Sequence, residues 1–97
     1  MDDTNNVTLD TYFKDLKVDH LFLKMDIEGY ERKALKGAIS LLNSSDDISG
    51  SVCIYHLHDD ESVISDILSQ ANLSLINVPG YLYMQWTMRH AIIRFTR

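Results

Sequence analysis

Residues 21–29 read LFLKMDIEG, an almost continuous apolar run that closes with two acidic residues and a glycine. A run of this length is typical of a β-strand that is buried on both faces, as the strands of parallel sheets are. Gly29 ends the apolar pattern, so the predicted strand covers residues 21–27. The chain should therefore build a parallel sheet around this strand.

Helical patterns lie on both sides of this strand. Before it, Thr8 can cap a short helix whose apolar residues recur at helical spacing. After it, residues 30–43 carry one apolar stripe, with Arg and Lys side chains away from that stripe. Gly37 inside this second helix costs roughly 1 kcal/mol relative to Ala, which indicates close packing against a neighbouring segment.

Three further strands and one helix follow along the chain. Residues 51–55 are rich in β-branched and aromatic side chains, and residues 73–78 and 91–95 form later apolar segments. A helix that Asp59 or Asp60 can cap lies between the first two of these segments. This alternation predicts an α/β fold in which the first three strands are parallel and the last pair is antiparallel.

Length and composition limit the classes of protein. Ninety-seven residues allow a single domain, in which residues 1–6 are predicted to be disordered. Nine Lys and Arg against fourteen Asp and Glu give a net charge of −5, which argues against nucleic-acid binding. No apolar run approaches the length that spans a membrane. The single cysteine, Cys53, indicates a reducing, cytoplasmic compartment.

Acidic residues gather where the first strand ends. Asp26 and Glu28 flank this end, Glu31 follows one helical turn later, and Lys24 points to the same face of the strand as Asp26. Three carboxylates so close together can bind a cation or supply a general base. Alternatively, Glu28 and Glu31 only favour the dipole of the helix that follows.

Two histidines follow the second strand. His56 and His58 would face the acidic residues if the first two strands are neighbours, and could then form a proton shuttle or part of a metal site. Alternatively, both are polar surface residues without partners.

Aromatic side chains mark the C-terminal third of the chain, where residues 81–86 can also be extended. Tyr81, Tyr83 and Trp86 could line a pocket for an apolar or sugar-like substrate, but their spacing favours the core of a terminal strand pair. The four glycines are too far apart for a dinucleotide-binding loop or a Walker A motif.

Three motifs carry a resemblance to a known family. TLDTYF at residues 8–13, LKMDIEG at residues 23–29 and ALKGA at residues 34–38 resemble the C-terminal half of FkbM-type methyltransferases. The likeness is strong over residues 7–43 and looser through residues 54–56. It implies part of a class I, Rossmann-like, S-adenosylmethionine-dependent fold, with parallel strands and an antiparallel C-terminal strand. The substrates that it implies are hydroxyl groups of sugars, polyketides or similar small molecules.

The resemblance also implies roles for individual residues. Asp26 falls at the end of the family's fourth strand, beside the transferred methyl group, where it would contact the cofactor and orient or deprotonate the acceptor. His56, at the end of the fifth strand, is a second candidate base, and Glu28 is a third catalytic candidate. The implied acceptor contacts are Lys24, Tyr30, Glu31 and His58, and no residue is assigned to a metal. Tyr30 stands where the family usually has a small residue.

The family's first three strands, with the glycine loop that holds S-adenosylmethionine, have no counterpart in these residues. We therefore expect a fragment of an O-methyltransferase that is inactive alone. The bare edge of residues 21–27 should pair with a second copy or with a separately encoded N-terminal half. One alternative is a non-catalytic remnant, or self-associating interaction module, with the same half-fold. Another is an aspartate-based phosphatase similar to haloacid dehalogenases, whose Asp-x-Asp motif Asp26 and Glu28 match only in part.

Overall fold

A computed structural model describes residues 7–97 of the chain. Residues 1–6, for which the sequence predicts disorder, lie outside the described residues. None of the helices within residues 7–97 combines the length and the apolar composition of a membrane-spanning segment. The elements in chain order are α1 (Leu9–Phe13), β1 (His20–Met25), α2 (Glu31–Lys36), α3 (Ile39–Ser44), β2 (Asp47–Cys53), α4 (Asp60–Gln70), β3 (Ser74–Asn77), β4 (Tyr81–Met84), β5 (Thr87–His90) and β6 (Ile92–Thr96).

Four strands form a mixed sheet in the order β1-β2-β6-β3. Strands β1 and β2 are parallel, with His20 opposite Asp47 and Met25 opposite Val52. Strand β6 runs antiparallel to both of its neighbours, β2 and β3. The first three strands therefore share one direction and the β3–β6 pair is antiparallel, which confirms the α/β prediction at this level. The carboxyl ends of β1, β2 and β3 lie at the same edge of the sheet.

The hydrophobic core lies between one face of the sheet and the helices. Its fully buried side chains include Leu35, Leu42, Ile48, Val52, Ile64, Leu68 and Ile93. The opposite face is open to solvent over the part that the structure describes, with Phe22 70% and Ile76 65% exposed. The prediction that the first strand is buried on both faces is therefore wrong. Along β1 the side chains alternate between the core and this open face.

Gly50 lets three strands of the sheet come together. It lies opposite Leu23 of β1 and Phe95 of β6. A Cβ atom at Gly50 would overlap the Leu23 carbonyl oxygen and lie 2.6 Å from Cζ of the Phe95 ring. The missing side chain therefore leaves the space that the Phe95 ring fills in the centre of the sheet.

The predicted helix over residues 30–43 is two helices, α2 and α3. The helical pattern breaks between α2 and α3 because a residue of α1 caps the start of α3. Asp10 accepts hydrogen bonds from the backbone N–H groups of Ser40 and Leu41, at 3.0 and 2.8 Å. The predicted close packing of Gly37 is confirmed, since a Cβ atom there would lie 3.0 Å from Cβ of Thr8.

Strand β4 confirms that residues 81–84 are extended. The hairpin that β4 forms with β5, separate from the four-stranded sheet, was not predicted. Its turn residues, Gln85 and Trp86, have positive φ angles of 49° and 68°. Such turns usually carry Asn or Gly, so no turn signal was visible. Tyr81, Tyr83 and Trp86 are 60%, 62% and 89% exposed. The prediction that they form the core of a terminal strand pair is therefore wrong, because this hairpin stands apart from the four-stranded sheet.

Candidate functional site

Three of the predicted site residues meet at the carboxyl ends of β1 and β2. Asp26 follows β1 directly, and His56 follows β2 after a short extension. His56 Nε2 lies 3.6 Å from Asp26 Oδ1 and 3.8 Å from Glu28 Oε2. The two strands are parallel neighbours, so their ends bring together residues that are 30 positions apart in the chain.

Glu31 holds the loop that carries Asp26 and Glu28 through hydrogen bonds to its backbone. Glu31 is fully buried, and its carboxylate accepts hydrogen bonds from the N–H groups of Ile27, at 2.7 Å, and Gly29, at 3.0 Å. Glu28 and Gly29 both have positive φ, 58° and 96°, which turns the chain sharply between β1 and α2. Glu31 thus positions the loop from within the fold, and the acceptor contact that the family resemblance implies for it stays a prediction.

The same carboxylate faces the histidine. His56 is nearly enclosed, with 11% of its side chain exposed, and its Nδ1 lies 3.2 Å from Glu31 Oε2. Nδ1 is buried and has no well-formed hydrogen bond among the described residues. Glu31 therefore links the acidic loop after β1 to the histidine after β2.

The remaining predicted contacts do not join this cluster. Lys24 lies on the open face of the sheet and lines a groove there with Phe22. Tyr30 is half exposed and lines a different, apolar groove, of about 470 Å³, that Ile27 also lines. His58 is exposed in the loop before α4. Within residues 7–97, none of the three forms an ion pair with Asp26, Glu28 or His56.

An ion-pair network that the sequence did not single out braces this end of the fold. Arg32 of α2 donates to Asp60 Oδ1 through Nε and Nη2, at 3.2 and 2.7 Å, and to Asp59 Oδ1 at 2.6 Å. Asp60 is almost fully buried and also accepts from the N–H of Leu57 at 3.0 Å. The hydrogen bond from Arg32 lowers the pKa of the Asp59 carboxyl, and both aspartates raise the pKa of Arg32.

The cap of α4 differs from the prediction because of this network. Asp59 is the N-cap of α4 by position, but its side chain makes no capping hydrogen bond. Its carboxylate points to Arg32 instead. The loop between β2 and α4, which contains His56, is thereby tied to α2.

Cys53, at the end of β2, is expected to react slowly with thiol reagents. Burial, followed by the nearby Asp26 carboxylate, raises the pKa of the Cys53 thiol to about 11. At pH 8 roughly one thiol in a thousand is then ionised, and only the thiolate is nucleophilic. Labelling with a disulfide reagent should be at least about 100-fold slower in the folded chain than in denaturant. Equal rates in both states would contradict this burial.

One comparison with known proteins gives a match. Residues 2–77 match the Methyltransferase FkbM domain family. No curated protein and no solved structure matches the chain. The matched segment contains the acidic loop, Glu31 and His56, whereas β4, β5 and β6 lie outside it. The match is to a methyltransferase family, so the phosphatase alternative has no support from it.

Proposed function

The chain belongs to the FkbM methyltransferase domain family, and on that premise we propose that it forms the acceptor-side part of an S-adenosylmethionine-dependent O-methyltransferase. The observation that carries the proposal is the pair of Asp26 and His56, 3.6 Å apart at the ends of two adjacent parallel strands. In open α/β sheets, ligands bind at this edge. A small-molecule alcohol, such as a sugar or a polyketide, is the proposed acceptor.

The proposed reaction requires two things of these side chains, orientation of the acceptor and uptake of a proton. S-adenosylmethionine supplies the methyl group, and the acceptor hydroxyl has to be oriented and has to lose its proton. Asp26, half exposed, can accept a hydrogen bond from that hydroxyl, and His56 behind it can take up the proton. Glu28, 88% exposed at the rim, is in position to contact the acceptor.

The other proposed acceptor contacts stand farther out. Lys24, Tyr30 and His58 all lie at the surface, where a bulky acceptor could reach them. Glu31 is proposed to act indirectly, by positioning the loop and His56, because its side chain is enclosed.

The described residues offer the cofactor only part of a site. Asp26 is the one residue that the family resemblance assigns to S-adenosylmethionine. The glycines at positions 29, 37, 50 and 80 do not form a nucleotide-cradling loop. We therefore propose that another part of a complete methyltransferase domain holds most of the cofactor, and no step through the cofactor is derived from these residues.

The proposed place for that other part is the edge of the sheet at β1. Among the described strands β1 pairs only with β2, so its other side presents free backbone groups. Apolar side chains are exposed on both faces beside this edge, namely Phe22 on one and Ile27 and Tyr30 on the other. A parallel strand with a helix on each face of the sheet would cover all of these. The same edge favours the alternative, a module that associates with a second copy of itself.

Two measurements test the proposal. One is calorimetric titration of the chain with S-adenosylmethionine, and the other is sedimentation of the chain, which reports self-association. At millimolar cofactor we expect no binding heat from the chain alone, because residues 7–97 form no loop that would cradle the cofactor. Joined to the N-terminal half of an FkbM-family methyltransferase, the chain should transfer methyl groups to alcohols. Asp26→Asn should lower that rate by about 100-fold, whereas Asp19→Asn, at an exposed position before β1, should leave it unchanged.

Two other results would contradict the proposal. Micromolar binding of S-adenosylmethionine by the chain alone would contradict the assignment of the cofactor site to another part. A joined protein that binds the cofactor but methylates no alcohol, together with self-association of the chain in sedimentation, would favour the interaction module.

A further inference from the structure

The cluster of Asp26, Glu28 and His56 has the composition of a metal site. Each residue offers one ligand atom, and these three atoms lie within 4.8 Å of one another. We infer that the three side chains bind a divalent first-row transition metal ion. The family match assigns no metal to this chain.

The distances between the ligand atoms suit a shared ion. Ligand atoms that sit about 2.0–2.2 Å from a metal are roughly 3.0–3.5 Å apart in octahedral or tetrahedral sites. His56 Nε2 is 3.6 Å from Asp26 Oδ1 and 3.8 Å from Glu28 Oε2. The third pair of ligand atoms, on Asp26 and Glu28, lies within 4.8 Å. The Glu28 side chain is 88% exposed and can rotate toward the other two ligands.

The orientation of His56 is a second, independent observation. Its ring is nearly enclosed, and the buried Nδ1 faces the buried carboxylate of Glu31 at 3.2 Å without a completed hydrogen bond. Glu31 is itself fixed by two backbone N–H groups. Histidines that bind metals usually donate their other ring nitrogen to a carboxylate, which fixes the tautomer and aims the ring.

In that tautomer, only hydrogen-bond acceptors face the centre of the cluster. With the proton of His56 on Nδ1, the lone pair of Nε2 points toward the carboxylate oxygens of Asp26 and Glu28. Among the described residues, no Lys or Arg forms an ion pair with either carboxylate. A cation between the three atoms would satisfy all of them.

The ligand types select the kind of cation. An imidazole nitrogen beside two carboxylates suits Mn²⁺, Co²⁺ or Zn²⁺ better than Mg²⁺ or Ca²⁺, which prefer oxygen ligands alone. Three protein ligands leave coordination positions open for water or for a hydroxyl oxygen. If the proposed function holds, an acceptor alcohol could occupy such a position, where the ion would favour loss of its proton to solvent in place of uptake by His56. The binding of the ion itself does not depend on the proposed function.

Titration of the tag-free 97-residue chain with MnCl₂, followed by the electron paramagnetic resonance signal of free Mn²⁺, tests the inference. One Mn²⁺ should bind per chain, and MgCl₂ in the same concentration range should not displace it. Asp26→Asn and His56→Gln should each weaken binding by at least about tenfold. His20→Gln, at the exposed start of β1 and therefore at the opposite end of that strand from the cluster, is the matched control and should bind as the unaltered chain does.

Further variants keep the test decisive. If His56→Gln unfolds, as judged by far-ultraviolet circular dichroism, Glu28→Gln removes an exposed ligand from an intact fold and should also weaken binding. Glu31→Gln should weaken binding without removing a ligand, and Co²⁺ spectra would show whether the coordination changes.

Two results would overturn the inference. One is an undiminished Mn²⁺ signal at millimolar metal, which would mean that a proton on Nε2 occupies the place of the ion. The other is binding that neither Asp26→Asn nor Glu28→Gln affects. Methyl transfer by the joined protein, together with no Mn²⁺ binding in the titration, would overturn the metal site and leave the proposed function intact. Metal binding without methyl transfer would do the reverse.

Discussion

Gly50→Ala should lower the free energy of unfolding by about 3 kcal/mol, the upper range for overpacking. The added methyl group would overlap the carbonyl oxygen of Leu23 and press on the ring of Phe95. A flexible side chain could move away, but the Leu23 carbonyl belongs to the backbone of β1 and is fixed by the β1–β2 pairing. The measurement is urea-induced unfolding followed by circular dichroism.

Two controls separate the backbone clash from the ring clash. Ser51→Ala, at the next position on the opposite face of β2, should change stability little because it adds no volume to the core. Adding Phe95→Leu to Gly50→Ala relieves the ring and should recover only part of the loss. Complete recovery would show that the ring alone restricts this position and that β1 can shift.

Asp60→Ala should be the second strongly destabilising change, with a loss of about 3 kcal/mol, as for other broken buried ion pairs. The substitution removes the acceptor of two Arg32 donors and of the Leu57 N–H, all within 3.2 Å. Arg32, whose side chain is 23% exposed, would keep only its bond to Asp59. Thermal and urea-induced unfolding would measure the loss.

Matched variants locate the cause. Asp59→Ala removes the exposed partner and leaves the buried one, so its effect should be much smaller. Arg32→Met combined with Asp60→Leu removes both charges of the buried pair and should recover much of the stability, because no charge is left without its partner. A double variant as unstable as Asp60→Ala would show that the Leu57 N–H, rather than the charge, determines the loss.

The long apolar segments of the fold are predictable from the sequence, whereas the points at which one element breaks into two are not. The strands near residues 21–27 and 51–55 and the helix after Asp59 all appear, with shifted ends. The break between α2 and α3 could not be seen, because it depends on Asp10, which reaches the N–H groups of α3 from 30 residues away. The hairpin was hidden because Gln85 and Trp86 are rare residues for its turn.

The candidate site shows the same division. The motif around Asp26 and the histidine at position 56 could be placed at one edge of the sheet from strand order alone. The role of Glu31 could not, because an acidic residue in the first helical turn also suits the helix dipole. Only its burial and its two backbone hydrogen bonds reveal that it holds the loop. Likewise, the exposure of Phe22 depends on what covers the sheet, which the periodicity of one strand does not report.

The position of β6 bears on how the protein emerges from the ribosome. This strand joins β2 to β3, yet it is the last strand of the sheet to be synthesised. Until residue 96 leaves the exit tunnel, a nascent chain exposes the facing edges of β2 and β3, in addition to the edge of β1. Unpaired strand edges are what chaperones shield during synthesis. Ribosome-bound chains that stop before residue 92 should therefore recruit chaperones, and release from them should follow the arrival of β6.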